Sequence, residues 1–150
     1  MRGTFFRVAV ACAAILVALP AAGAQGASRD RSALNGINAI RADHGLRPVR
    51  SSPALSRSAR VQSATMLRTD RFAHSSRLSA AGHWSVLGEN IAMHRGWRPR
   101  VGWLLRSWMN SPVHRRLILS AKYRYAGVGS ARGHYGRWKF TTWTLRLGRR

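Results

Sequence analysis

The one cysteine of the chain, Cys12, lies inside an apolar run near the amino terminus, and that placement limits the possible fold more than any other feature. Arg2 and Arg7 precede the apolar stretch Val8 to Leu19, and the small residues Ala22-Gly23-Ala24 follow it, the order of an export leader and its cleavage site. The stretch is too short to cross a bilayer as a helix. Residues 1–24 therefore read as a signal peptide, cut after Ala24 or after Ala27, and the exported product as secreted, either extracellular or associated with the cell envelope. Once Cys12 leaves with the leader, no disulfide, thiolate or lipid-anchor cysteine remains. About 125 residues are left, enough for one domain that buries roughly two-thirds of its unfolded surface and holds together by packing alone.

Charge sets the second limit. Twenty-six Lys and Arg stand against four Asp and Glu, a net charge of +22, and nearly all the cations are arginine. Such a chain attracts anionic polymers without any specific site, so anionic envelope polymer or lipid is an expected partner and nucleic acid a non-specific one. No transmembrane helix follows the leader, and a monomer is expected.

Residues 25–32 read as a linker, and a domain fills 33–148. A helical pattern runs from about Asp30 to His44, with Ala33, Leu34, Ile37 and Ile40 on one face and Gly45 as its stop. Leu46 to Val49 leaves in extended form because of Pro48. Ser52 as N-cap and Pro53 at the first helical position start a second helix to about Arg68, whose buried stripe is Leu55, Ala59, Gln62 and Met66, widened by Ala64 and Leu67. From Asp70 to Gly96 the periodicity vanishes, apart from a short buried strand at Gly88–Met93, and such a long irregular stretch is more often functional than idle. His83 and His94 read as surface or loop residues. Pro99 to Asn110 forms a helix with Val101, Leu104, Leu105 and Trp108 inward. Ser111-Pro112 restarts a helical turn that carries His114, where the positive end of the helix dipole disfavours protonation. Tyr123 to Ser130 and Trp138 to Leu147 are strands joined by a turn at Arg132–Gly136. Trp108, Trp138 and Trp143 are assigned to the core, Trp84 and Trp97 to partly exposed positions.

Three pieces of this chain carry possible chemistry: FAHSSR with His74, GEN with Glu89 and Asn90, and SPVHR with His114. Glu89 is the only glutamate of the 150 residues. His74 and Glu89 are 15 positions apart and Glu89 and His114 are 25 apart, a spacing that matches no local metal motif.

Taken in order, LNGINAIRADHGLRPV, PALSRSARVQSATML, FAHSS, GENIA, WMNSPVHRRLIL and YAGVGS resemble the CAP superfamily of cysteine-rich secretory proteins, antigen 5 and plant pathogenesis-related proteins, in its bacterial, disulfide-free SCP-like form. The resemblance implies an α+β fold, an α-β-α sandwich with a central antiparallel sheet between helical layers. It also implies a cleft to which His74, Glu89 and His114 belong. Many relatives carry a further glutamate in the helix before the second histidine, and Val101 to Asn110 offers none. On that basis His74 and His114 are the candidate metal ligands, with zinc the candidate ion. Glu89 and Asn90 are candidates for an orienting or base role, and His74, Glu89 and His114 for any catalysis. The favoured function is a secreted binding or interaction module. The alternatives are a metal-dependent hydrolase of extracellular peptide, lipid or envelope polymer, and a cationic polyanion-binding protein.

Overall fold

The structure is a computed structural model that describes residues 22–150, so the leader assigned to residues 1–24 lies outside the described residues but for its last three positions. The elements are α1 (Ala22–Asp43), β1 (Arg50–Ser51), α2 (Pro53–Arg68), β2 (Val86–Arg95), α3 (Val101–Asn110), α4 (Pro112–Ile118), β3 (Tyr125–Tyr135) and β4 (Trp138–Arg149). One four-stranded sheet has the order β1-β3-β4-β2. The long strands β2, β4 and β3 are antiparallel, whereas the two-residue β1 lies parallel to β3, so the sheet is mixed rather than wholly antiparallel. Among the described residues no helix is long and apolar enough to cross a membrane.

Both faces of the sheet are covered, which explains why Thr141 to Gly148 is buried without interruption. Alternate residues of β4 point to opposite faces. Trp143, Leu145 and Leu147 join Ala33, Leu34 and Ile37 of α1, Leu104 and Trp108 of α3 and Ile118 of α4 in the main core. Thr142, Thr144 and Arg146 take the opposite face, where α2 lies; Ser63 of α2 is hydrogen-bonded to Thr144 Oγ1 at 2.9 Å, and Thr142 Oγ1 donates to the Ser63 carbonyl at 2.8 Å. This is the α-β-α sandwich expected from the resemblance, with α2 as one layer and α1, α3 and α4 as the other.

α2 starts where the sequence says it should: Ser52 is extended, its hydroxyl accepts from the Leu55 N–H, and Pro53 follows at the first helical position. Its buried residues are Leu55, Ala59, Ser63, Met66 and Leu67. Gln62 and Ala64 do not belong to that stripe: Gln62 instead donates to the Ala73 carbonyl at 2.8 Å, and Ala64 faces solvent. The helix sits close enough to the sheet for its backbone to touch β3, and a Cβ added at Gly127 or Gly129 would overlap the backbone nitrogens of Ser56 and Arg60.

Four other expectations are corrected. Residues 25–32 are not a linker, because α1 is continuous from Ala22; Gly23 and Gly26 each cost about 1 kcal/mol against alanine but no proline interrupts the run. Asp30, in that segment, is buried, accepts from Ser130 Oγ at 2.6 Å and pairs with Arg60 at 3.0 Å, so α1 is pinned to both β3 and α2. The strand at Gly88–Met93 extends over Val86–Arg95. His94 is buried rather than superficial, since its place on β2 turns it toward the rings of Trp103 and Trp143. Trp138, assigned to the core, is 44% exposed at the end of the β3–β4 hairpin, with the Arg95 guanidinium 3.8 Å from its ring centre.

Replacing Gly129 with alanine is expected to lower unfolding free energy by about 2 kcal/mol, because the helix must move off the strand; a urea midpoint unchanged from the parent would contradict the contact. Burial lowers the pKa of His94 from its usual 6.5, with Arg100 and Arg132 adding to the effect. A depressed folded-state pKa means that the unfolded chain binds more protons below about pH 6.5, so stability present above that pH is lost as pH falls. Thermal midpoints between pH 7 and 5 should fall less steeply in His94→Phe than in the parent.

Candidate functional site

Glu89 and Asn90 are consecutive residues of β2, the strand at one edge of the sheet, and they therefore point to opposite faces. Each fastens a different histidine-bearing segment. On the α2 face, Glu89 Oε1 accepts from His74 Nδ1 at 2.8 Å and from the Ser75 N–H at 3.0 Å, and Oε2 accepts from Ser75 Oγ at 3.1 Å. On the other face, Asn90 Nδ2 donates to the carbonyl of His114 at 3.1 Å. The two histidines thus reach the same sheet edge from its two sides. His114 is close enough to His74 that a charge on one is felt at the other: burial first, and then His74, lower the His114 pKa below its usual 6.5.

The sequence reading of this region did not include Arg146. It faces Glu89 directly in the β2–β4 register, and its Nη1 lies 2.9 Å from Glu89 Oε2 while Nη2 donates to Ser75 Oγ at 2.7 Å. The Nη1 contact is a charge contact without hydrogen-bond alignment, and Nε also has no protein partner. Both members of the pair are almost wholly buried. Burial lowers the Arg146 pKa and Glu89 opposes that shift, so the guanidinium stays charged and the neighbouring carboxylate has a fixed counter-ion. The signal available in sequence was weak but real: Phe140, Thr142, Thr144 and Arg146 share one face of a strand, and an arginine ending such a face needs a buried partner.

Glu89 is consequently engaged at both oxygens. Its two oxygens accept three hydrogen bonds, from His74 and from the backbone and side chain of Ser75, and Oε2 also lies in charge contact with Arg146. Because an ionised carboxylate only accepts, Nδ1 of His74 carries a proton, and in the neutral ring Nε2 then holds the lone pair. The His74 side chain is 57% exposed, so that lone pair is directed away from the sheet while its ring is held from behind. His74 and Ser75 border a hollow of about 400 Å³ with Gln62 and Met66 of α2, and Ser75 and Arg146 border a second of about 470 Å³ on the other side of the same segment. Among the described residues no group of three or more His, Cys, Asp or Glu side chains is placed to hold a metal ion. α3, which contains no glutamate, presents Trp108 to β2, and its indole N–H donates to the carbonyl of Ile91 at 3.2 Å.

Comparison with known proteins follows the same outline. The family model described as "Cysteine-rich secretory protein family" matches residues 34–145. The uncharacterized protein YkwD of Bacillus subtilis is 34% identical over 101 residues, a match that takes in 61% of this chain and 38% of that protein, so the chain spans well under half the length of this relative. A crystal structure of an extracellular protein containing an SCP domain from Bacillus anthracis superposes with a TM-score of 0.68 at 22% identity, over 83% of this chain and 41% of that one. An outer surface protein from Borrelia burgdorferi superposes with a TM-score of 0.65 at 13% identity, over 82% of this chain and 93% of that one. The histidines, the glutamate and the sheet edge that carries them all fall within the matched span, and the chain belongs to the cysteine-rich secretory protein family, as a bacterial SCP-like CAP domain.

Proposed function

We propose that the protein is an extracellular binding module whose edge cleft takes a divalent metal ion, zinc by the chemistry of its donors, between the imidazoles of His74 and His114. The observation that supports this reading is the engagement of both Glu89 oxygens within the protein. Held by His74, Ser75 and the Arg146 charge, Glu89 serves to fix His74 in the tautomer and orientation that leave Nε2 free, the role a carboxylate plays behind a metal-binding histidine. His114 suits the second ligand position because its lowered pKa keeps the ring neutral at neutral pH. Two nitrogen donors are fewer than the three protein ligands of a catalytic zinc site, so the donor set fits a loosely held ion with open positions for a ligand. When bound, the ion would supply a Lewis-acidic point for a polar or anionic group of that ligand.

Turnover is the weaker reading. A hydrolase in this cleft would need Glu89 as base, and a base needs an oxygen open to the water whose proton it takes. Here both oxygens are committed to His74, Ser75 and Arg146. Asn90 acts through the backbone of α4, keeping His114 at the edge.

Zinc titration by calorimetry tests the proposal: the parent should bind one ion weakly, and His74→Ala and His114→Ala should each weaken binding tenfold or more. Glu89→Gln should cost roughly ten- to a hundredfold, as loss of the group behind a ligand does. Identical heats for parent and both histidine variants, or none in the parent, would remove the metal from the cleft. Removing the counter-ion has a separate consequence. Arg146→Met should lower unfolding free energy by about 3 kcal/mol, because Glu89 keeps its charge inside the fold, and a urea midpoint equal to the parent's would sink the buried-pair assignment.

A further inference from the structure

At the opposite edge of the sheet from the His/Glu cleft, the fold gathers five arginines from three segments that are remote from one another in sequence. Arg47 precedes β1 and Arg50 opens it, Arg124 is the residue before β3, Arg149 ends β4 and Arg150 follows it. Strand pairing enforces the gathering. The Arg50 N–H donates to the Arg124 carbonyl at 2.8 Å, and the Arg124 N–H to the Gly148 carbonyl at 3.0 Å, so the three chain segments meet at one end of the sheet. Together the five side chains and Tyr125 line a hollow of about 550 Å³.

Among the described residues no acidic side chain is paired with them. The ion pairs of the described residues use Arg60, His74 and Arg146, and none uses these five. Two of the five are partly ordered: Arg124 Nη1 donates to the Ala121 carbonyl at 2.9 Å, and the Arg150 guanidinium lies over the rings of Tyr125 and Trp84, 5.3 and 5.0 Å from their centres. Like charges crowded into a concavity repel one another, and the same concavity concentrates the positive field that draws an anion in. Five guanidiniums call for more than one negative group, and the planar fork of arginine meets phosphate oxygens in pairs.

We infer that this hollow is a binding site for clustered phosphate groups, as carried by an oligophosphate or phosphodiester chain. The site is separate from the histidine cleft and needs no metal.

The probe is sodium tripolyphosphate, titrated by calorimetry into the full chain at about 0.15 M salt, where weak surface attraction is largely screened. Arg50→Gln/Arg124→Gln should weaken binding at least tenfold. A control with the same loss of charge elsewhere, Arg31→Gln/Arg68→Gln, should stay within twofold of the parent. No binding by the parent, or equal loss in both double variants, would overturn the assignment, because the attraction would then belong to net charge and not to a site. The pocket substitutions relieve repulsion, so the thermal midpoint should not fall; should it fall, the single variants Arg47→Gln and Arg149→Gln carry the same comparison. Competition by phosphatidylglycerol vesicles for the tripolyphosphate site would identify the phosphate source as a headgroup, and its absence a soluble chain; both outcomes support phosphate recognition by these arginines.

Discussion

The buried pair of Glu89 and Arg146 ties together the segments that form the proposed site. Each residue sits on one of two neighbouring strands, directly opposite the other, and each also holds Ser75. The pair therefore joins β2 to β4 and fastens the long segment before β2 onto the sheet. Strand pairing has a side-chain period of two, so a register slip of one residue would turn Glu89 toward α3 and α4 and leave Arg146 buried without a counter-charge. The correct register is thus secured by electrostatics as well as by packing. His74 depends on it, because its ring is held by the same carboxylate.

Two of the four acids are turned inward. Asp30 is buried between α1, α2 and β3 and Glu89 is buried under the cleft, whereas Asp43 and Asp70 are exposed, Asp70 accepting from the Gly136 N–H at 2.7 Å to steady the β3–β4 turn. Buried arginine is satisfied by carbonyls where no acid is left. Arg41, fully buried, donates to the carbonyls of Arg47, Ile118 and Ser120 at 3.0, 2.6 and 3.0 Å, which also caps the carboxyl end of α4. The consequence for the surface is direct. The two exposed acids are far too few to offset the exposed arginines, and strand pairing then decides where those arginines crowd together.

Much of the fold was legible because its signals are local. Ser52-Pro53 starts a helix through its own backbone and side chain, and the apolar spacing of Ala33, Leu34 and Ile37 survives in the core unchanged. The motifs FAHSS, GEN and SPVHR, separate in sequence, meet at the β2 edge of the sheet. Errors arose where one residue's environment is set by a distant one. His94 looked superficial because nothing near it in sequence announces Trp103 and Trp143, and Trp138 looked like core because aromatic content cannot distinguish a strand's middle from its frayed hairpin end. Residues 25–32 looked like a linker because small and polar residues lack an apolar stripe, yet Asp30 is held by Arg60, 30 positions further along, and by Ser130, 100 positions further along.

The sequence by itself determined the helices, the two long C-terminal strands, the positive charge, the absence of cysteine after Cys12 and the identity of the one glutamate, all of which follow from composition, caps and periodicity. Only the tertiary structure decided that Glu89 and Asn90 serve opposite faces of an edge strand, that Arg146 rather than a further glutamate completes the cluster, and that five arginines share a hollow at the other edge. The physical reason is the same in each case. Strand pairing brings together residues far apart in the chain, and an ion pair or a crowd of like charges acquires its energy from distance in space, which the order of residues does not contain.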